Sequence, residues 1–161
     1  MTTERELAIT RLIHAPRALV FQAWTDPAYL KNWYAPQGCT LEIRQLEARP
    51  LGRFLTCIRN PHLNFDCWVK GSYLEVDAPE RLVYTMRVSD EAGNDLTSAA
   101  SGHDSSWPEE TTLTVTFTEE GPHTLLTLHQ TVSEALAKES GAYPSWLQML
   151  DRLEEQLAPT A

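Results

Sequence analysis

Apolar and polar residues alternate along this chain in two rhythms. Across 4–13, Leu7, Ile9 and Ile13 stand among polar neighbours with the period of two that a half-buried strand requires. His14-Ala15-Pro16 interrupts the strand. Pro16, whose φ is pre-set for a first helical turn, then opens a stretch in which Leu19, Val20, Ala23 and Trp24 fall at helical spacing. Asp26 and Pro27 are an N-cap and a first-turn proline for a second short helix running to about Trp33, which Pro36 and Gly38 end. The strand rhythm returns over 39–46, 52–60, 65–76, 81–89, 110–119 and 123–131. The joints are Arg49-Pro50-Leu51-Gly52, Asn60-Pro61-His62, Asp77-Ala78-Pro79-Glu80 and Glu120-Gly121-Pro122, all rich in residues with a local bending mechanism. A helical turn is expected at 134–138. Trp146, Leu150, Leu153 and Leu157 then mark one apolar face of a helix of about four turns, with Asp151, Arg152, Glu154 and Glu155 on the other face.

Connections this short favour an antiparallel meander. The sequence therefore predicts one α+β domain over 1–161: a curved seven-stranded antiparallel sheet around a long C-terminal helix, with two short helices after the first strand. Residues 90–109 depart from the rhythm as a polar insertion of Gly, Ser, Asn, Asp and Ala, longer than connections in compact domains, and read as a hairpin tip or a lid.

Strand parity gives the inner face of the sheet. Leu113, Val115 and Phe117 share one side, as do Leu82, Tyr84, Met86 and Val88, and Leu126, Leu128 and Val132. One helix is small cover for such a sheet. Either large side chains fill the space or a cavity remains between sheet and helix, with Trp33, Tyr84, Met86, Phe117, Trp146, Met149 and Leu150 as its candidate lining.

Composition narrows the function classes. The 161 residues carry 13 Lys and Arg against 22 Asp and Glu, a net charge of −9, and the basic residues are dispersed, which disfavours a nucleic-acid partner. No apolar run approaches the roughly 20 residues of a membrane span, and the polar start Met1-Thr2-Thr3-Glu4-Arg5-Glu6 lacks the features of a secretion signal, so a cytoplasmic location is expected. Cys39, Cys57 and Cys67, an odd count without a C-x-x-C pair, are expected to be reduced thiols.

Few residues in the chain stand in a pattern that supports catalysis or metal binding. Ser101-Gly102-His103-Asp104-Ser105 has hydrolase residue types but falls in the polar insertion, away from any rigid scaffold. His62, Asp66 and Cys67 lie around one turn with no second cluster to complete a metal set. His129 has outward parity opposite Leu126 and Leu128. With seven glycines and no G-x-G-x-x-G or Walker pattern, no nucleotide cofactor is indicated. No catalytic residue, metal or cofactor is assigned.

Several segments carry a family resemblance: Ile13-His14-Ala15-Pro16-Arg17, Val20-Phe21-Gln22-Ala23-Trp24-Thr25-Asp26-Pro27, Trp33-Tyr34-Ala35-Pro36-Gln37-Gly38, Gly71-Ser72-Tyr73-Leu74-Glu75-Val76, Pro79-Glu80-Arg81-Leu82-Val83-Tyr84-Thr85 and Leu150-Asp151-Arg152-Leu153. Together they resemble the bacterial Hsp90-ATPase-activator-homologue family, a branch of the START-like, Bet v 1-like (SRPBCC) superfamily. The resemblance implies the helix-grip fold with a hydrophobic tunnel between curved sheet and C-terminal helix. It also implies an apolar small-molecule ligand as partner, with cyclase or hydrolase chemistry, or a chaperone-interacting role, as alternatives. A homodimer is compatible with it. The chain departs from the family at Glu47-Ala48-Arg49-Pro50-Leu51-Gly52, where members usually carry Asp-Arg-Pro-Gly-Gly, and at Trp33-Tyr34-Ala35-Pro36, where they often read Trp-Trp-Gly-Pro.

Because a solvated insertion contributes little to core stability, replacing Ser101, His103 and Asp104 together by Ala should leave the urea midpoint unchanged and any ligand affinity within about twofold. Loss of an activity at unchanged stability would restore the hydrolase reading.

Overall fold

Pro16 leads from the first strand, β1 (Glu6–Ile13), into α1 (Arg17–Thr25), and Asp26 caps α2 (Pro27–Leu30), its Oδ1 accepting the Ala28 N–H at 2.9 Å. α2 is shorter than the sequence suggests. After Leu30 the chain continues as turns, because the Trp33 indole N–H donates to the Ala23 carbonyl at 3.0 Å and ties this segment to α1. This computed structural model describes residues 5–62, 64–97 and 107–157. The Ser101, His103 and Asp104 run lies outside the described residues.

Strands β2 (Thr40–Leu46), β3 (Arg53–Asn60), β4 (Phe65–Asp77), β5 (Arg81–Ser89), β6 (Glu110–Glu120) and β7 (His123–Ser133) follow, then α3 (Glu134–Ser140) and α4 (Ala142–Leu157). They form a seven-stranded sheet in the order β1-β7-β6-β5-β4-β3-β2 with every neighbouring pair antiparallel. The meander from β2 to β7 is the expected one, and β1 closes the far edge against β7. Register slips at Glu6/Leu7, Ile43/Gln45 and Tyr73/Glu75 add twist and curl the sheet.

The inner face carries the expected parity: Leu82, Leu113, Val115, Phe117, Leu126 and Leu128 are all at most 2% exposed. α4 covers them with Trp146, Met149, Leu150, Leu153 and Leu157. Its opposite face is less solvated than its charges suggest. Arg11, on the inward register of β1, pairs with Asp151 and, through Nε at 3.1 Å, with Glu154. Arg152 donates to the carbonyls of Ala35 and, at 2.9 Å, Asn32. These residues fasten the helix to the sheet edge and to the turn after α2. Among the described residues, no helix is long and apolar enough to cross a membrane.

Two backbone positions explain local shape. Leu51 stands at φ 67°, left-handed backbone, in the turn where the resembling family usually has glycine, and its N–H donates to the Tyr73 carbonyl at 2.8 Å. Gly71, in β4, leaves no room for a side chain: a Cβ there would lie 1.8 Å from the Thr85 carbonyl oxygen and 2.5 Å from the Phe54 ring. Gly71→Ala should therefore cost about 3 kcal/mol or more in a urea titration, the upper range for overpacking. A variant as stable as the parent would show that β4 can shift freely at this point.

Candidate functional site

The space between sheet and α4 divides in two. At the deep end, Trp24, Tyr34, Phe54, Thr56, Tyr73 and Tyr84 surround only about 20 Å³, room for about one water. Their rings interlock: Phe54 lies 5.7 Å from both Tyr73 and Tyr84, Tyr34 lies edge-on to Trp146 at 5.7 Å, and Trp146 stacks on Trp24 at 6.2 Å. The Tyr34 and Tyr84 hydroxyls share a hydrogen bond of 2.9 Å. Toward the junction of α3 and α4 the filling stops. A cavity of about 330 Å³ opens there, walled by Ile58, Val69, Met86, Val88, Trp146 and Met149, with Trp107 and Gly141 also on its lining. Tyr34 borders both spaces.

Of the residues expected to line a cavity, Met86, Trp146 and Met149 border the larger space and Tyr84 the smaller. Trp33, Phe117 and Leu150 border neither. Trp33 packs edge-on to Trp24 at 4.7 Å, Phe117 meets Phe21 at 5.2 Å, and Leu150 is fully buried among core side chains, so all three are packing residues. The Trp146 indole faces the sheet as its helical position requires.

The sequence reading missed several wall residues. Gln130 and Thr111 occupy inward positions of β7 and β6 and are 3% and 2% exposed. Gln130 Oε1 accepts the Trp146 indole N–H at 3.0 Å, and Gln130 Nε2 donates to Thr111 Oγ1 at 3.0 Å. Their signal was readable: a polar residue standing in a run of inward apolar positions. Trp107, at the end of the polar insertion, gave none. The start of that insertion is tied to the sheet, with Asp95 pairing with Lys70 and, at 3.3 Å, with Arg87. Arg87 also lies 3.3 Å from Glu109, and both border the cavity.

The other candidates disperse. His129 faces outward and lies 3.0 Å from Glu6. Asp66 pairs with Arg59 at 2.6 Å, His62 is exposed, and Cys67 turns to the larger cavity. Among the described residues no group of three or more His, Cys, Asp or Glu could hold a metal ion. Cys39, Cys57 and Cys67 are free thiols, and burial, with Cys57 nearby, pushes Cys67 up to about 11.

Burial also raises the phenols of Tyr34, Tyr73 and Tyr84 well above the ordinary tyrosine value of about 10. In the folded protein these groups hold their protons after the same groups in the unfolded chain have ionised. Stability is therefore intact below about pH 9 and falls as pH rises through 10 and beyond. Urea midpoints measured from pH 7 to 11 should decline above about pH 9.5, with phenolate absorbance from these three appearing only on unfolding. Their ionisation in the native state at about pH 10 would contradict the burial of this cluster.

Comparison with solved structures gives the same architecture. A Chromobacterium violaceum protein is 23% identical, over 96% of this chain and 97% of that one, with a TM-score of 0.78. One from Mycobacterium smegmatis is 21% identical over 99% and 98%, with a TM-score of 0.79. One from Silicibacter pomeroyi is 18% identical over 96% and 98%, with a TM-score of 0.74. At such identities the likeness establishes the helix-grip fold. No curated protein matches the chain. The family model described as Activator of Hsp90 ATPase homolog 1-like protein matches residues 14–158, which contain the paired helices after β1, every strand from β2 to β7 and the covering helix, and the chain belongs to that family.

Proposed function

We propose that this protein binds an apolar small molecule in the larger cavity between its sheet and α4. The observation that carries the reading is a space of about 330 Å³ with apolar walls, in a chain that fills the adjoining deep end with rings. That volume is within the range of small-molecule sites, and apolar walls with a few fixed polar groups are their usual make-up. The three free thiols support a reducing compartment such as the cytoplasm as the setting for this binding.

Saturable enhancement of N-phenyl-1-naphthylamine fluorescence, at one probe per chain, is the expected result. Met86→Trp, which adds bulk from a half-buried wall position, should weaken that binding at least tenfold while the urea midpoint changes little. Absence of saturable binding to the parent protein, or equal binding by the variant, would overturn the assignment of this cavity.

A further inference from the structure

The identity of the ligand's polar group can be read from hydrogen-bond direction, given the cavity binding proposed above. Thr111 and Gln130 sit side by side on the cavity wall, 2% and 3% exposed. An indole nitrogen only donates. The Trp146 N–H therefore fixes the Gln130 amide with its oxygen toward Trp146 and its nitrogen toward Thr111, where Nε2 donates to Oγ1 at 3.0 Å. The direction of the chain of bonds is thus set from α4, and the Thr111 oxygen is an acceptor in it. Its own hydroxyl proton has no acceptor among the described residues, nor has the second amide proton of Gln130. Two buried donors are left over side by side on this wall, and the buried Arg87 Nε nearby likewise has no hydrogen-bond partner. A buried donor without a partner is costly, so an acceptor oxygen delivered by a ligand gains more here than it would at an exposed site.

Charge decides what kind of oxygen. Arg87, the cation on this wall, lies 3.3 Å from Glu109 and 3.3 Å from Asp95, and the chain carries a net charge of −9. Asp95 is shared with Lys70, so the two cations and the two carboxylates on this side already cancel. An added carboxylate would sit beside Glu109 and bring an uncompensated negative charge to a set that is already neutral. We propose that the Thr111–Gln130 pair recognises a neutral acceptor oxygen, so that the ligand is an apolar molecule bearing a carbonyl group of the ketone or ester kind.

Three naphthalenes of similar shape test this, each titrated against bound N-phenyl-1-naphthylamine: 2-acetonaphthone, 2-isopropenylnaphthalene, in which a CH₂ replaces the carbonyl oxygen, and 2-naphthoate. The ketone should bind about tenfold more tightly than the alkene, the worth of one buried hydrogen bond, and more tightly than the carboxylate. Thr111→Val should cut the ketone-to-alkene ratio below about threefold with alkene affinity unchanged, and Thr111→Ser should keep the parent ratio. Should the valine variant fail to fold, the parent and serine ratios still decide. Equal binding of ketone and alkene to the parent, a ratio untouched by Thr111→Val, or preference for the carboxylate would overturn this recognition while leaving cavity binding in place. Displacement by none of the three would overturn the recognition, and failure of N-phenyl-1-naphthylamine itself to bind would overturn both readings.

Discussion

A single sixteen-residue helix has to cover the inner face of a seven-stranded curved sheet, and it is too narrow to do so unaided. Burial of that face is the main favourable term in folding, and any part left bare forfeits it. The chain meets the shortfall at one end with large rings. Trp24 and Tyr34 bring aromatic bulk from α1 and the turn after α2, and Phe54, Tyr73 and Tyr84 rise from the strands to meet them. The bulk runs out toward the α3–α4 junction, where small residues such as Gly141, Ala142 and Ser145 border the space. The position of the cavity follows from where that bulk ends.

The helix must also be held at a fixed height above the sheet, since the spacing between them sets the size of the gap. Two arginines at opposite flanks do this. Arg11 reaches from the sheet edge to Asp151 and Glu154, and Arg152 reaches from α4 to the carbonyls after α2. Partly buried pairs with several hydrogen bonds restrict geometry more than they add stability. From the third side, the Trp146–Gln130–Thr111 chain joins α4 to β7 and β6 through the cavity wall itself. The same bonds that locate the helix also orient the donors facing the cavity.

The fold was legible because period and punctuation agreed at almost every element: Leu113, Val115 and Phe117 gave the face of β6, and Asp26-Pro27 gave the start of α2. Where the reading slipped, a distant partner decided the outcome. α2 stops early because the Trp33 indole finds the Ala23 carbonyl, and Asp151 and Glu154 are clamped by Arg11 from more than a hundred positions away in sequence. The site was half legible. Parity identifies which residues face inward, hence Met86 and Trp146, yet it does not separate side chains that pack from those that border a gap, so Phe117 and Leu150 read the same as Met149. Gln130 is the more informative lesson, because a polar residue in an inward register is costly unless it has a partner there.

The aromatic make-up of the wall has an optical consequence. Trp107, Trp146 and Tyr34 all border the larger cavity, and Trp24 is stacked directly behind Trp146. A molecule in that space lies against the chromophores that dominate the protein's ultraviolet emission, and one of them, Trp146, has its indole nitrogen committed to Gln130. Occupancy is therefore written into the protein's own light. Filling or emptying the cavity alters the polarity around two indoles without a label, and the buried Trp33 and Trp68, which do not border it, supply a background that the change can be read against.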